Sequence, residues 1–139
     1  MPKAKPKILT LAEANALLPQ VRALLHELRQ LQRTITQTSE QIEQRSVKIS
    51  AGNGYPVQSL KGQVKELGNK QLKLIEAYQA AVKQLAKLGC LVKDVATGLV
   101  DFYGLREGEL VFLCWKEDEA RVDYWHTLEG GFAARQPLP

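Results

Sequence analysis

The sequence predicts an α+β fold in which a long antiparallel helical hairpin is followed by a small antiparallel sheet of three or four strands. Two observations predict the hairpin: apolar residues recur at steps of three and four over residues 14–49 and 57–88, and a Gly-rich segment separates the two stretches. A third observation predicts the sheet, because the apolar period changes to two after Gly89. We expect the sheet to pack on the base of the hairpin, within a single domain of 139 residues.

The N-terminal part of the chain predicts a tail and a well-defined helix start. Residues 1–9 are rich in lysine and proline, which is typical of a basic disordered tail. Thr10 and Glu13 have the spacing of a capping box, so the first helix, residues 10–49, should begin there. Pro19 lies inside the helical pattern and removes a backbone donor, which predicts a kink or break in this coiled-coil-like hairpin.

The apolar stripes also predict a register for the two helices, 10–49 and 57–88. Aligning them about the turn places Ile35 opposite Gln71 and Leu28 opposite Tyr78. Polar residues interrupt the stripes only in the half nearer the turn, and this half has a single apolar row, so two helices alone would be marginal there. We therefore expect a homodimer through this arm, or fraying. The candidate self-association residues are Ile35, Ile42, Ile49, Val57 and Val64.

Gly89 suits the left-handed position that ends a helix, and the sheet is expected over residues 90–128. Its strands are predicted at residues 90–95, 99–103, 109–116 and 121–127, and residues 129–139 form a C-terminal tail. The third strand is apolar on both alternating faces, which predicts a central strand that is covered on both sides. The helical hairpin can cover one side, and the tail, through Phe132 and Leu138, or a partner subunit covers the other.

Four stretches of the sequence resemble a small bacterial family of unknown function. They are Leu9–Leu25 (LTLAEANALLPQVRALL), Gly89–Phe102 (GCLVKDVATGLVDF), Leu113–Lys116 (LCWK) and Tyr124–Leu138 (YWHTLEGGFAARQPL). The resemblance covers nearly the whole chain apart from the tip of the arm. It implies a bacterial, cytoplasmic, single-domain protein, and it implies no activity.

Charge and composition bear on the partner and the compartment. Residues 1–88 hold fourteen Lys and Arg against six Asp and Glu, whereas residues 89–139 hold five against nine. The lysines of the second helix surround its exposed side instead of lining one stripe, so a solvated surface is favoured over nucleic-acid binding. No stretch has the length of a membrane span or a signal peptide, and Cys90 and Cys114 lack metal-ligand spacing, which favours a cytoplasmic protein with buried, reduced thiols.

Reactive side chains concentrate near the end of the fourth predicted strand. Asp101, His126 and Glu129 form a set that can hold a divalent metal, and Arg135 can bind an anionic substrate in a bidentate manner. In the purely structural alternative, His126 caps a strand end by hydrogen bonding, Trp125 packs in the core, and Glu129 pairs with Arg135. Cys114 is expected to be buried in the central strand, and nothing in the sequence indicates an activated thiol.

The first functional hypothesis is a non-catalytic interaction protein that self-associates through its helical arm, docks a protein partner and needs no cofactor. The alternative is a small-molecule or metal-binding protein or enzyme with a site around Asp101, His126, Glu129 and Arg135. A third hypothesis is nucleic-acid binding by the basic helical half, and no hypothesis places the chain in a membrane. The sequence assigns no catalytic residue.

Overall fold

The computed structural model describes residues 6–139 and has two long helices that pack together, followed by a five-stranded antiparallel sheet. The predicted α+β fold is therefore confirmed. The sheet has one strand more than expected, because part of the predicted C-terminal tail pairs with it. The elements are α1 (Leu11–Ala51), α2 (Val57–Lys87), β1 (Cys90–Asp94), β2 (Leu99–Arg106), β3 (Glu109–Lys116), β4 (Tyr124–His126), a 3-10 turn (Phe132–Ala134) and β5 (Gln136–Pro137).

The chain divides into two compact units. One, which we call the hairpin unit, is Glu27–Ala81, and the other, the sheet unit, combines the residues up to His26 with Val82–Pro139. The unit boundaries fall inside both helices. Within residues 6–139, neither helix combines the length and the apolar character that crossing a lipid bilayer requires.

The start of α1 has the capping box that the sequence predicts. The Thr10 amide donates to Glu13 Oε1 at 2.9 Å, and the Glu13 amide donates to Thr10 Oγ1 at 3.1 Å. Both amides belong to a helix end, where no backbone acceptor is available to them. The helix then continues through Pro19 without ending there, so a break at this position is excluded and a kink stays a prediction.

Part of the segment expected to be a disordered tail belongs to the sheet unit. Ile8 forms a parallel bridge to Tyr103 of β2, and the Leu9 amide donates to the Tyr103 carbonyl at 2.8 Å. Leu9 is buried, so burial of its side chain offsets the cost of ordering this segment. Residues 1–5 of the predicted tail lie outside the described residues.

Polar side chains connect the two helices within the hairpin unit. Arg45 Nε donates to Gln63 Oε1 at 2.8 Å, and Gln71 donates both to Ser39 Oγ and, at 3.4 Å, to the carbonyl of Ile35. The Gln71–Ile35 bond joins the two residues that the predicted register places opposite each other. Arg45 and Gln71, two of the polar residues that interrupt the apolar stripes, therefore form hydrogen bonds between the helices.

The hairpin unit has a thin core. Its buried residues are Leu28, Thr38, Leu60 and Ala81. Thr38 satisfies its hydroxyl within its own helix, since Oγ1 donates to the carbonyl of Thr34 at 2.7 Å. The self-association candidates are all only half-buried in the isolated chain, namely Ile35, Ile42, Ile49, Val57 and Val64.

The sheet is a meander with the strand order β1-β2-β3-β4-β5, and β3 lies at its centre as predicted. Residues 111–115 of β3 are buried on both faces. On one face Trp115 is fully buried beneath α1, where the Arg22 guanidinium lies 4.8 Å from its ring centre. The core tryptophan is therefore Trp115, whereas Trp125, which the structural alternative expected there, is half-buried.

The strand β4 is shorter than the predicted residues 121–127. The Val122 amide donates at 2.7 Å to Asn15 Oδ1 of α1 and not to a neighbouring strand. Val122 is fully buried, so this bond satisfies an amide that water cannot reach. The connection between β3 and β4 is thus tied to the first helix, and the pairing of β4 is confined to Tyr124–His126.

Candidate functional site

Strands β2, β3 and β4 bring three reactive side chains to the sheet face opposite Trp115. Asp101 is the cross-strand partner of Cys114, and His126 is the partner of Phe112, two residues before Cys114 on β3. Side chains two residues apart on a strand share a face. Asp101, Cys114 and His126 therefore converge, and we call these three residues the buried cluster.

A two-residue turn sets the register that places Asp101 opposite Cys114. The turn between β2 and β3 is Glu107–Gly108, and both residues have positive φ, 54° and 80°. This conformation matches the twist of antiparallel strands and makes a tight hairpin without a bulge. From Arg106 opposite Glu109, the pairing continues without a shift to Leu99 opposite Lys116.

Within the buried cluster, His126 contacts both oxygens of Asp101. His126 Nε2 lies 3.1 Å from Oδ1 and 3.2 Å from Oδ2, and both side chains are at most 4% exposed. The Cys114 sulfur completes the group, because the potential ligand atoms of the three residues all lie within 4.8 Å of one another. An imidazole nitrogen, a carboxylate oxygen and a sulfur thus face one point in a buried setting.

The orientation of the imidazole is set by the backbone next to it. His126 Nδ1 lies 2.8 Å from the carbonyl oxygen of Thr127. A carbonyl can only accept a hydrogen bond, so Nδ1 carries a proton and donates it. His126 Nε2 is thereby left as the atom that faces Asp101 and Cys114.

The two cysteines are both buried, as expected, and neither forms a disulfide. Burial, and secondarily the charge of Asp101, raises the pKa of Cys114 to about 12. The same two causes raise the pKa of Cys90 to about 12. A thiol with such a pKa is not a nucleophile near neutral pH, but a bound cation would stabilise its thiolate.

A cavity of about 290 Å³ lies against the buried cluster. Residues 127–135, which we call the strap, cross this face of the sheet between β4 and β5, and contribute Leu128, Gly130, Gly131 and Phe132 to the lining. The remaining lining residues are Lys93, Leu99 and Phe112, together with the three residues of the buried cluster. The expectation that Phe132 covers this face of β3 agrees with its position.

Arg135 does not face the cluster as a free anion-binding group. Its guanidinium makes a bidentate pair with Glu119, with N–O distances of 3.0 and 2.5 Å, and lies 3.9 Å from the ring centre of Tyr124 and 4.2 Å from that of Phe132. Hydrogen bonding to Glu119 raises the pKa of Arg135. The expected pairing of Arg135 with Glu129 is wrong, because the loop that follows β3 supplies a nearer carboxylate.

Glu129 lies away from the buried cluster. It lines a separate cavity of about 230 Å³ together with Arg106 and Trp125, and the Arg106 guanidinium lies 4.8 Å from the Trp125 ring centre. Of the four residues that the sequence grouped, the structure therefore places Asp101 and His126 in direct contact, and Arg135 reaches the buried cluster through a hydrogen bond to Cys114. The third member of the cluster is Cys114.

The model of one protein family, described as "Uncharacterized conserved protein (DUF2203)", matches residues 7–138. The chain belongs to this family. Among curated proteins and among solved structures, no significant match to the chain is found. Membership in DUF2203 confirms the resemblance to a family of unknown function, and it leaves the argument about function to the geometry of the buried cluster.

Sequence reasoning did not include Cys114 of this DUF2203 chain in the site, although a signal was present. Glu107–Gly108 is a two-residue hairpin turn between alternating strands, and such a turn fixes which residues lie opposite each other. Counting outward from it pairs Asp101 with Cys114. The spacing rules for metal sites work along a helix or loop and do not detect ligands that are paired across a sheet.

Proposed function

We propose that this protein binds a divalent transition metal at the buried cluster of Asp101, Cys114 and His126. The observation that supports the proposal most directly is that three different donor atoms lie within 4.8 Å of one another. All three residues are buried in the sheet unit and line one cavity. Tetrahedral zinc ligands at metal–ligand distances of about 2.0–2.3 Å lie roughly 3.3–3.6 Å apart, so small shifts would suffice.

The donor set indicates the class of metal. Imidazole and thiolate ligands favour Zn²⁺, Co²⁺ or Fe²⁺, whereas Mg²⁺ and Ca²⁺ prefer sites made of oxygen. The Asp101 carboxylate and the Cys114 thiolate would together neutralise a divalent charge, which limits the cost of burying the ion. The hydrogen bond from His126 Nδ1 to the Thr127 carbonyl is the kind of outer contact that orients a metal-bound histidine.

Three protein ligands leave one position of a tetrahedral ion unfilled. Catalytic zinc sites have this composition, whereas structural zinc sites use four protein ligands. Here the unfilled position would open into the cavity beneath the strap. The proposal therefore includes an exchangeable ligand, water or a small molecule, on the metal.

Cobalt substitution tests this proposal. Metal-stripped protein without a histidine tag is titrated with Co²⁺, and we expect one ion per chain with the near-ultraviolet absorption of a thiolate–cobalt bond. Cys114→Ser should abolish that absorption, and Cys90→Ser, which changes the other buried cysteine, should keep it. Circular dichroism verifies that both variants are folded. Substoichiometric Co²⁺ binding by the wild type, or an unchanged absorption in the folded Cys114→Ser variant, would refute a metal centre at this cluster.

A separate observation supports self-association as a second function. The hairpin unit buries few side chains, and Leu72 and Ile75, one turn apart on α2, are 61% and 38% exposed. A second copy of the chain would cover such apolar surface and the half-buried residues Ile35, Ile42, Ile49, Val57 and Val64. We propose that the hairpin unit forms this contact.

Light scattering coupled to size-exclusion chromatography tests the second proposal. We expect the mass of a dimer for the wild type at micromolar concentration and the mass of a monomer for Leu72→Gln. Leu105→Gln is the matched control, because Leu105 is 59% exposed but lies in the sheet unit. A folded wild-type monomer, or equal dissociation by the two variants, would contradict self-association through the hairpin unit.

A further inference from the structure

We infer that the cavity next to the metal centre binds a small organic monoanion, a monocarboxylate with a short branched alkyl chain. This inference rests on the proposed metal centre, because the carboxylate would occupy the unfilled position of the ion. It narrows the anionic substrate that the sequence indicates at Arg135 to a monocarboxylate bound at the metal and near Lys93. Three features of the cavity support this ligand: its charge, the side chains that line it, and its access to solvent.

The charge of the lining favours a single negative charge on the ligand. Among the residues that line the cavity, the ionisable ones are Lys93 and the three members of the buried cluster. A divalent ion held by a carboxylate, a thiolate and a neutral imidazole has no net charge. Arg135 also contacts Cys114, but its charge is balanced by Glu119, with which it pairs. Lys93 therefore leaves the loaded cavity with one positive charge, which a monoanion neutralises and a dianion exceeds.

The position of Lys93 is compatible with contact to such a ligand. Its ammonium lies 5.3 Å from the ring centre of Phe112, and the Phe112 ring centre lies 5.4 Å from that of His126. Phe112 therefore contacts both the cation and the imidazole that would face the metal. Lys93 itself is exposed at the rim, where it can donate to a carboxylate without prior desolvation.

The rest of the lining favours a short apolar substituent. Leu99, Phe112, Leu128 and Phe132 surround the cavity, and no further polar side chain lines it. A cavity of about 290 Å³ lies at the lower end of the range for small-molecule sites, which excludes nucleotides and other large ligands. Branched alkyl groups of three or four carbons fit within such a volume, and their burial against this lining favours binding.

The strap contributes two residues without side chains to the lining of this cavity. Gly130 and Gly131 lie in the lining, and a Cβ added at Gly131 would meet nothing within 4 Å. Both ends of the strap are held, at one end by β4 and at the other by β5 and the Arg135–Glu119 pair. A small ligand can thus enter beside the glycines while the strap stays in place.

The experiment uses the Co²⁺-loaded protein and follows the visible absorption of the metal. We expect 3-methylbutanoate to change this spectrum with saturation and to bind roughly fiftyfold more tightly than acetate, since its three additional carbons are buried. The neutral isostere 3-methylbutanamide and sodium chloride at the same ionic strength are expected to have no effect. Lys93→Met should weaken 3-methylbutanoate about tenfold, and Lys93→Arg, which keeps the charge, should weaken it less than about threefold.

The outcomes separate the inference from the metal proposal. If the protein binds no Co²⁺, the metal centre is refuted and this inference with it. If Co²⁺ binds with its thiolate absorption but 3-methylbutanoate leaves the visible spectrum unchanged, the metal centre stands and the ligand inference is overturned. An equal response to the amide or to chloride, or equal binding by Lys93→Met and the wild type, would overturn it as well.

Discussion

At the scale of single residues, the capping box of α1 contributes to stability through two local hydrogen bonds. Thr10→Ala removes the acceptor for the Glu13 amide, and we expect the free energy of unfolding to fall by about 1 kcal/mol. Thr10→Ser keeps a hydroxyl and should stay near the wild type. Urea denaturation measures both variants, and an equal loss in the serine variant would argue against capping as the cause.

The same capping box makes the stability of α1 weakly dependent on pH in the acidic range. Hydrogen bonds from the amide and hydroxyl of Thr10 lower the pKa of Glu13 below its ordinary value. A carboxylate with a lowered pKa stabilises the folded state above its unfolded pKa, and this contribution is lost as the pH falls through the folded pKa. Glu13 is fully exposed, so solvent limits the effect.

Glycines at different positions should respond in opposite directions to alanine substitution. Gly89 has a φ of 87°, and an added Cβ would also lie 3.2 Å from Lys7 Cδ, so Gly89→Ala should cost about 1–2 kcal/mol. Gly62 and Gly68 lie inside α2, with nothing within 4 Å of an added Cβ, and alanine there should stabilise by roughly 1 kcal/mol. Thermal or urea denaturation of the three variants checks these signs. Destabilisation by Gly68→Ala would indicate a contact from outside the chain.

The raised pKa of Cys90 predicts that the folded protein loses stability in alkaline solution. This pKa is raised to about 12 in the folded protein, against about 9 as the ordinary value, so the folded state keeps its proton where the unfolded state has lost it. The contribution of the Cys90 thiol to the free energy of unfolding is therefore complete below about pH 9, and it declines as the pH rises towards 12. Cys90→Ala should show a shallower decrease in the free energy of unfolding across this range. Parallel pH profiles of the two proteins would disprove the role assigned to Cys90.

At the scale of elements, Arg22 joins α1 to the loop that follows β3. Its guanidinium donates to the carbonyls of Glu117 at 2.7 Å and Glu119 at 2.9 Å while it lies over Trp115. Arg22→Met leaves two carbonyls without this donor, and we expect a loss of about 2 kcal/mol in unfolding free energy. Arg121→Met is the control, because Arg121 pairs with Asp123 in solvent and should cost less than about 0.5 kcal/mol. Similar losses in both variants would mean that Arg22 acts only as a surface charge.

How far the elements could be predicted depends on how local their causes are. The capping box at Thr10, the left-handed Gly89 and the boundaries of β3 follow from neighbouring residues, and the structure agrees with all three. The end of β4 could not be predicted, because the Val122 amide finds its acceptor in Asn15, far away along the chain. Side chains with long-range partners are the ones that local patterns misplace.

In the candidate site, too, residues with local causes could be predicted and residues with long-range partners could not. The sequence correctly predicts that Asp101 and His126 lie close together, since both belong to strands in which the alternation of side chains shows which face each one is on. It does not correctly predict the position of Glu129, because this residue lies on the strap, where no period constrains the direction of a side chain, and Arg135 reaches the buried cluster only through Cys114. Arg135 is directed by Glu119, a residue of the loop after β3, and that pairing depends on the complete sheet.

At the scale of the whole molecule, metal binding should affect the two units unequally. The buried cluster lies wholly in the sheet unit, so ligand linkage acts on the unfolding of that unit. At Zn²⁺ concentrations of about 100 times the dissociation constant, we expect a stabilisation of about 2.7 kcal/mol. That value corresponds to an increase in melting temperature on the order of 10–20 °C for a unit of this size.

Hydrogen–deuterium exchange with peptide resolution measures this difference between the units. Added Zn²⁺ should slow exchange in β2, β3 and β4 and leave residues 27–81 unchanged. Cys114→Ser provides the control, since Zn²⁺ should then have little effect in either unit. Protection that appears mainly in residues 27–81 would place the metal elsewhere.

The two-residue connection Glu107–Gly108 has a consequence for how this protein can tolerate changes in length. One residue inserted there would reverse the parity of every later side chain on β3, so that Cys114 would turn inward beneath the helix and Trp115 would turn outward. Both the hydrophobic interior and the arrangement of Asp101, Cys114 and His126 would be lost in a single mutational event. Selection on stability alone would therefore preserve that arrangement, whatever the three side chains are used for.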